Sequence, residues 1–175
     1  MLKKNIYIPI EFKNREFISQ LLLSTFAVKK GFRVYLGSFA GILKLLDKKK
    51  GKSGIFIMKG GLNIKLTNFV KKKCEHYLII DQEISPGYKN SFYNNWTSGR
   101  FLEPTVKEID YYYCLNDYIL KAVKKNKIFT KYKVKSFNTG WPRVDTWLPI
   151  FEKFYEKETL EIKKKYKNFI LFCSD

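Results

Sequence analysis

Histidine and cysteine are scarce in this chain, which limits the metal sites and disulfides that it can form. Its 175 residues include one histidine, His76, and three widely separated cysteines, Cys74, Cys114 and Cys173. These residues do not show the paired spacing of a zinc site. An odd number of distant cysteines also argues against a disulfide framework, so we interpret them as buried free thiols. We expect no metal ion and no other cofactor.

Long apolar runs and phosphate-binding loops are also missing. The longest mostly apolar stretch, residues 17–28, contains Ser19, Gln20, Ser24 and Thr25, and it is too short and too polar to span a membrane. Near the amino terminus there is no apolar signal core with a cleavage site, so we expect a cytoplasmic protein. Neither G-x-G-x-x-G nor a Walker pattern occurs, which argues against a nucleotide site of those types.

Basic residues outnumber acidic residues by 34 to 16, which gives a formal net charge of +18. Such a charge fits binding to phosphates or to an anionic membrane surface. The lysine runs are 48–50, 71–73, 124–125 and 163–165. Most fall near predicted helix ends, where the helix dipole favours cations. We therefore prefer a solvated lysine-rich surface to a dedicated nucleic-acid face, and peripheral contact with the inner face of the cytoplasmic membrane stays open.

Apolar periodicity predicts strands and helices in strict alternation. The predicted strands are 5–10, 32–36, 54–58, 77–80, 109–114, 132–137 and 168–175, and the helices are 15–30, 39–49, 63–74, 117–125 and 151–166. Ser38 is predicted to cap the helix 39–49. Between these elements, residues 85–105 are predicted to form an irregular loop with one short helix. This alternation predicts an α/β fold with a Rossmann-like, doubly wound, mostly parallel sheet. We expect the strand order 3-2-1-4-5-6.

Polar or flexible residues follow the carboxyl ends of four predicted strands. They are Glu11, Arg15 and Glu16 after the first strand, Lys59 and Gly60 after the third, Asp81 and Glu83 after the fourth, and Gly140, Arg143 and Asp145 after the sixth. The carboxyl ends of parallel strands share one edge, so these residues are predicted to line one cleft. The alternative for Arg15 and Glu16 is a surface ion pair in the first turn of a helix.

Several segments, in order, resemble bacterial surface carbohydrate biosynthesis proteins. Residues 8–16, 21–23 and 30–37 are similar to the start of that family. Residues 81–83 (DQE) resemble its Asp-Glu-Glu segment, with Gln82 in place of the middle acid. Residues 139–145 (TGWPRVD) resemble its Thr-Gly-Asn-Pro-Arg-x-Asp loop, with Trp141 in place of asparagine.

The resemblance implies the amino-terminal half of a glycosyltransferase of the B architecture, with two Rossmann-like domains facing a cleft. Residues 1–148 would form the acceptor-side domain, and residues 149–175 would form a linker helix and the first strand of a truncated second domain. The enzyme would transfer a sugar from a nucleotide-sugar, held mainly by the second domain, to a glycan or lipid-linked acceptor of a surface polysaccharide. We expect the 175-residue chain alone to be inactive.

Such a transfer needs a base for the acceptor hydroxyl and cations for the departing phosphate. Glu11 or Glu16 is the first candidate for the base, and Asp81 and Glu83 come next. The candidates for binding an anionic acceptor or a phosphate are Arg15, Lys59 and Arg143. Arg143 has a structural alternative, an ion pair with Asp145.

Two alternative functions remain open. One is a glycerophosphotransferase that uses CDP-glycerol, which the sequence does not separate from a glycosyltransferase. The other is a basic module without catalysis that binds RNA or an anionic membrane. An RNA-binding module needs exposed aromatic side chains, and the one candidate, residues 111–113 (YYY), is better interpreted as a buried strand. We therefore expect no specific nucleic-acid partner.

Overall fold

The computed structural model describes residues 4–83 and 90–170. Its strands are β1 (Asn5–Ile10), β2 (Arg33–Ser38), β3 (Ile55–Met58), β4 (His76–Ile80), β5 (Tyr111–Cys114) and β6 (Lys135–Asn138). Its helices are α1 (Lys13–Lys29), α2 (Phe39–Lys48), α3 (Ile64–Lys73), α4 (Asn90–Arg100), α5 (Glu103–Val106), α6 (Asp117–Lys125), α7 (Lys127–Lys131), α8 (Pro142–Asp145) and α9 (Glu156–Tyr166), with a 3-10 helix at Pro149–Tyr155. All strand pairs are parallel. The predicted α/β class with a Rossmann-like parallel sheet is confirmed.

The strand order differs from the prediction. The sheet runs β2-β1-β3-β4-β5-β6, so the predicted order 3-2-1-4-5-6 is wrong. In the observed order β3 is central, and three of its four residues are buried, whereas β2 is an edge strand with no buried residue. An edge position for β3 would expose its continuous apolar run, while β2, with Arg33 and Ser38 at its ends, tolerates the edge. The second strand therefore lies on one side of β1, and the third and later strands lie on the other side. We call the position between β1 and β3, where the strand order reverses, the chain-reversal point.

The two faces of the sheet are covered unequally. On one face, Tyr7, Phe56 and Tyr112 belong to a large buried cluster with side chains of α2, α3, α5 and α6. On the other face, Ile8 and Ile80 belong to a smaller cluster, against which α1 packs. This second face has fewer buried apolar side chains than the first, and Leu23 and Ala27 of α1 are among the residues that pack against them.

Helix α1 presents a polar side to the protein. Its buried residues are Glu16, Ser19, Gln20 and Ser24. The periodic apolar residues that predict this helix, including Phe17, Leu21 and Phe26, are exposed instead. The hydroxyl groups of Ser19 and Ser24 donate hydrogen bonds to backbone carbonyl oxygens of the same helix, which satisfies them in this buried position, and Glu16 lies on the same buried side. The apolar side of α1 contributes Ile18, Leu21 and Leu22 to a groove shared with Phe151, Phe154 and Tyr155.

Hydrogen bonds from side chains explain where the helices begin. Ser38 accepts from the backbone N–H of Gly41 and caps α2, as the sequence predicts. Asn126 accepts from the N–H groups of Ile128 and Phe129 and starts α7. This helix was not predicted, and it shortens the predicted strand 132–137, which begins at Lys135 as β6.

Three other segments depart from the predictions. The region predicted as irregular contains the eleven-residue helix α4 and the short helix α5. The predicted helix 151–166 begins as a 3-10 helix and becomes α-helical at Glu156. The predicted last strand, 168–175, has no regular structure at residues 169–170, and residues 171–175 lie outside the described part. The predicted domain boundary at residue 148 stays a prediction. No helix of the described residues is long and apolar enough to cross a membrane.

Candidate functional site at the carboxyl edge of the sheet

Glu11 and Lys59 meet at the carboxyl ends of two central strands. Glu11 directly follows β1, and Lys59 directly follows β3. Because β1 and β3 are neighbours, the Lys59 Nζ lies 2.7 Å from the Glu11 Oε2. The Lys59 side chain is 6% exposed and that of Glu11 is 34% exposed. The pair lies where the chain reverses direction across the sheet, and ligands of open α/β sheets bind at that point.

Glu16 holds Lys59 from the other side. It lies in the first turn of α1, where the helix dipole favours a carboxylate. Its Oε1 accepts a hydrogen bond of 2.7 Å from the Lys59 Nζ, and its Oε2 accepts one of 2.9 Å from the backbone N–H of Glu11. The Arg15 Nη2 is 3.3 Å from the same Oε1. Glu16 is therefore a buried carboxylate with both oxygens already engaged.

The environment of Glu16 keeps it ionised. Burial raises its pKa, but hydrogen bonds from Lys59, the Glu11 N–H and Arg15, together with the charge of Lys59, lower it further, so its pKa is below the ordinary value. Charge-assisted hydrogen bonds of this kind are stronger than neutral ones. At neutral pH the site therefore contains a permanent negative charge beneath Lys59.

Asp81 forms a second buried carboxylate, directly after β4. Its side chain is fully buried, and the Tyr112 hydroxyl donates a hydrogen bond to its Oδ2. Its Oδ1 accepts from the backbone N–H of Glu83 at 3.1 Å and lies 3.4 Å from the Arg100 Nη2. Burial raises the pKa of Asp81 above its ordinary value despite the charge of Arg100 and the hydrogen bond from Tyr112. Asp81 therefore positions Arg100 from below and has no exposed atom of its own.

Glu83 joins the two halves of the network. Its Oε2 accepts from the Arg100 Nη2 at 2.6 Å, and its Oε1 lies 3.9 Å from the Lys59 Nζ. The Glu83 side chain is 43% exposed and that of Arg100 is 14% exposed. One chain of contacts thus runs from Arg15 on α1 to Arg100 at the end of α4. We call these seven residues the ion-pair network: Glu11, Arg15, Glu16, Lys59, Asp81, Glu83 and Arg100.

Gly60 leaves room for Arg100. A Cβ atom at this position would lie 2.8 Å from the Arg100 Nη2 and 3.4 Å from the Glu83 Oε2. Cβ contacts below 3.0 Å require a shift of the neighbouring atoms. Here the neighbour is the guanidinium that pairs with Asp81 and Glu83, so any larger residue would disturb that pairing.

The ion-pair network lines one side of a cleft of about 750 Å³. Four of its members, Glu11, Lys59, Glu83 and Arg100, form the charged part of the lining. The apolar part of the lining, which we call the apolar wall, includes Leu62, Ile64, Trp96, Phe101, Leu102 and Pro104. The Arg100 guanidinium lies over the rings of Trp96 and Phe101. A cleft with one apolar wall and a few convergent polar groups is the usual form of a small-molecule site.

The loop after β6 lies elsewhere. Gly140 has a φ of +77°, which a glycine adopts without strain. Helix α8 packs against α1, and Asp145 lines a separate depression of about 240 Å³. In the described residues, neither Arg143 nor Asp145 takes part in an ion pair, and neither lines the large cleft. The predicted site residues thus fall into two groups, with Glu11, Arg15, Glu16, Lys59, Gly60, Asp81 and Glu83 in the first and Gly140, Arg143 and Asp145 in the second.

Two residues of this region were not predicted from the sequence: Arg100, a member of the ion-pair network, and Tyr112, which donates a hydrogen bond to Asp81. Arg100 is the last residue of α4, within the segment 85–105 that was predicted as irregular, and Tyr112 lies in a strand whose tyrosines resemble ordinary core residues. The amino-acid composition contained one indication that Arg100 has a specific role. The chain has 30 lysines and 4 arginines, so each arginine departs from the general composition. Two of the four, Arg15 and Arg100, belong to the ion-pair network.

Cysteine chemistry and metal binding find little support in the described residues. Cys74 and Cys114 are free and buried, and burial raises the pKa of each thiol to about 12. Cys173 lies outside the described part. Within residues 4–83 and 90–170, no group of three or more His, Cys, Asp or Glu side chains could hold a metal ion.

Comparison with protein-family models, with curated proteins and with solved structures gives no match for this chain. The resemblance to surface carbohydrate biosynthesis proteins therefore stays a prediction.

Proposed function

We propose that this chain is the acceptor-binding α/β domain of a transferase that moves a sugar from a nucleotide-sugar to a hydroxyl group of a surface polysaccharide acceptor. The observation that carries the proposal is the Glu11–Lys59 pair, 2.7 Å apart, at the chain-reversal point of the sheet and in the lining of the large cleft. The proposal locates the enzyme in the cytoplasm, with its acceptor at the inner face of the cytoplasmic membrane.

Glu11 is the carboxylate best suited to act as the base. A base must lie within hydrogen-bond reach of the acceptor hydroxyl. Glu11 is partly exposed and lines the cleft, whereas Glu16 is 3% exposed and Asp81 is 0% exposed. Glu16 and Asp81 hold Lys59 and Arg100 in place, so we assign them positioning roles.

Glu83 is the second carboxylate that a ligand reaches. It is more exposed than Glu11, but its contact with Arg100 at 2.6 Å restrains it. We assign Glu83 to the binding of a second acceptor hydroxyl. The apolar wall would hold the ring of the sugar.

A glycerophosphotransferase needs the same acceptor chemistry, since a hydroxyl group attacks in both reactions. The two differ in the donor, and no observation on the cleft favours one donor. The RNA-binding alternative has less support, because the lysines at the helix ends lie away from the cleft and its aromatic side chains Trp96 and Phe101 are largely buried.

Binding measurements on the chain test this proposal. Glycan acceptors should shift the backbone amide signals of Gly60, Gly61 and Leu62, and Glu11→Gln should weaken that response. The matched control is Glu108→Gln, which removes the same charge outside the cleft lining. In the full-length gene product, transfer from a panel of nucleotide-sugars and CDP-glycerol identifies the donor. Binding of glycans at the helix ends, or of none at the cleft, would contradict the proposal.

A further inference from the structure

The charged groups that face the cleft differ in exposure by sign. The two cations, Lys59 and Arg100, are 6% and 14% exposed, whereas the two carboxylates, Glu11 and Glu83, are 34% and 43% exposed. A ligand that enters the cleft therefore meets carboxylate oxygens first. These oxygens accept hydrogen bonds from hydroxyl groups, and they repel phosphates and carboxylates.

The buried cations are already compensated. Lys59 lies 2.7 Å from each of two carboxylates, Glu11 and Glu16. Arg100 lies within 3.4 Å of Asp81 and 2.6 Å of Glu83. An anionic ligand would have to displace one of these short contacts, and the displaced carboxylate would remain nearby as a like charge. Among the described residues, the two cations that line the cleft, Lys59 and Arg100, are therefore not free to bind an incoming anion, although Lys59 was a sequence-based candidate for that role.

The rest of the cleft also suits an uncharged ligand. Trp96 contributes an uncharged aromatic surface to the lining, while its indole Nε1–H is buried and out of reach of a ligand in the cleft. Ile64 and Leu102 are among the exposed apolar residues of the same wall, and they offer contact to the C–H face of a sugar ring.

Ligand cations are disfavoured for a different reason. The chain carries a formal net charge of +18, and its long-range field repels cations. Within the cleft, Lys59 and Arg100 already occupy the positions next to the carboxylates. The carboxylates in the cleft therefore disfavour the binding of anionic ligands, and the net positive charge of the chain disfavours the binding of cationic ligands.

We infer that the cleft binds an uncharged, hydroxyl-rich acceptor, that is, a neutral glycan, and discriminates against phosphorylated, uronic-acid and amino sugars. This inference rests on the proposed acceptor-binding function and names the class of acceptor. Glu11 and Glu83 accept hydrogen bonds from its hydroxyl groups, and the apolar wall holds its ring.

Matched glycans test the inference. Neutral oligosaccharides of glucose, galactose, mannose and N-acetylglucosamine are compared with their phosphorylated, uronic-acid and amino forms by amide shifts of Gly60 and Gly61. Like charges about 4 Å apart near a protein surface correspond to a tenfold or larger loss of affinity. We therefore expect each anionic form to bind at least about tenfold more weakly than its neutral parent.

Glu83→Gln provides the second measurement. It removes one exposed negative charge, keeps the shape of the side chain and leaves Arg100 paired with Asp81. The preference for neutral over anionic glycans should fall by about tenfold, while Glu108→Gln should leave it unchanged. An unchanged preference in Glu83→Gln overturns the inference.

The outcomes also separate the inference from the proposed function. Tighter binding of an anionic or an amino form at Gly60 and Gly61 overturns the neutral-acceptor inference and leaves acceptor binding intact. No response of these signals to any glycan overturns both.

Discussion

At the carboxyl edge of the sheet, four carboxylates and three cations form one network, whereas lysines predominate at the amino edge. The lysines of the amino edge lie in the last turns of α1, α2, α3 and α6. They are Lys29, Lys48, Lys71, Lys72, Lys73, Lys124 and Lys125. Among the described residues, only Lys71 of this set pairs with a carboxylate, Asp110 at 2.7 Å. The crossover helices run antiparallel to the strands, so their last turns share that edge.

This difference shows that net charge and candidate site are separate properties of the molecule. The lysines at the amino edge are where a helix dipole favours cations, and they need no ligand to explain them. The ion-pair network has four of the 16 acidic residues of the chain, and there the two signs compensate. A formal charge of +18 therefore does not indicate an anionic ligand for the cleft.

Removal of Lys59 should give the largest change in stability. Lys59→Met leaves the buried carboxylate of Glu16 without its main partner, and breaking a buried ion pair in this way costs about 3–5 kcal/mol. The free energy of unfolding, measured with urea, checks this value. Lys72→Met, the same substitution at an exposed amino-edge site, should change it by no more than about 0.5 kcal/mol. Equal losses in the two variants would contradict the comparison.

Gly60→Ala should have the next largest effect. The added Cβ would displace the Arg100 guanidinium from Asp81 and Glu83, and the loss of a hydrogen bond between charged groups costs about 1.5–3 kcal/mol. Gly99→Ala is the control, because Gly99 lies in α4 and has no atom within 4 Å of an added Cβ. Alanine is preferred to glycine within a helix by about 0.5–1 kcal/mol, so this variant should be neutral or more stable. Urea unfolding of both variants decides, and a stable Gly60→Ala protein would argue against tight packing at Arg100.

Acid should weaken the carboxyl edge through Glu16. Because the folded protein lowers the pKa of Glu16 below 4.5, its contribution to stability is present above that pH and is lost as the pH falls through the folded-state pKa. Asp81 has the opposite sign, since its raised pKa favours the folded state when it is protonated. Unfolding from pH 7 to pH 3 should therefore show a smaller acid-induced loss in Glu16→Gln and a larger one in Asp81→Asn. Parallel curves for all three proteins would rule out both assignments.

Neutralising the amino edge should give the smallest effect on the site. A triple variant with Lys72, Lys124 and Lys125 changed to glutamine should bind anionic vesicles more weakly than the unmodified protein. Both affinities should be low and should fall steeply with salt, as for non-specific phosphate contacts. Glycan binding at the cleft should not change. A lower glycan affinity in this variant would show that the two edges are coupled.

Local features of the chain were predicted more accurately than its long-range pairing. The apolar run of β1 and the Ser38 cap of α2 depend on neighbouring residues, and both were predicted at their observed positions. Strand order depends on which strand pairs with β1, and no local pattern contains that information. The incorrect order would have separated Glu11 from Lys59 by two strand spacings of about 4.8 Å each, so the 2.7 Å contact could not be predicted.

The candidate site was predicted only where it depends on local features of the chain. Residues at the ends of strands, such as Glu11 and Asp81, follow from the rule that ligands bind at the carboxyl edge. Arg100 comes from the end of a helix in a segment rich in Asn and Gly, where the spacing of Phe92, Tyr93 and Trp96 was the only helical signal. The exposure of Glu11 and the burial of Glu16 required the folded structure.

Glu11→Gln and Glu16→Gln, measured together, test the central assignment most directly. In the full-length gene product, Glu11→Gln should lower kcat by about 10²–10⁴-fold, as for loss of a general base, with little change in the free energy of unfolding. Glu16→Gln should reduce stability by about 1.5–3 kcal/mol, the value of a hydrogen bond to a charged group. Wild-type turnover in Glu11→Gln would contradict the assignment of Glu11 as the base.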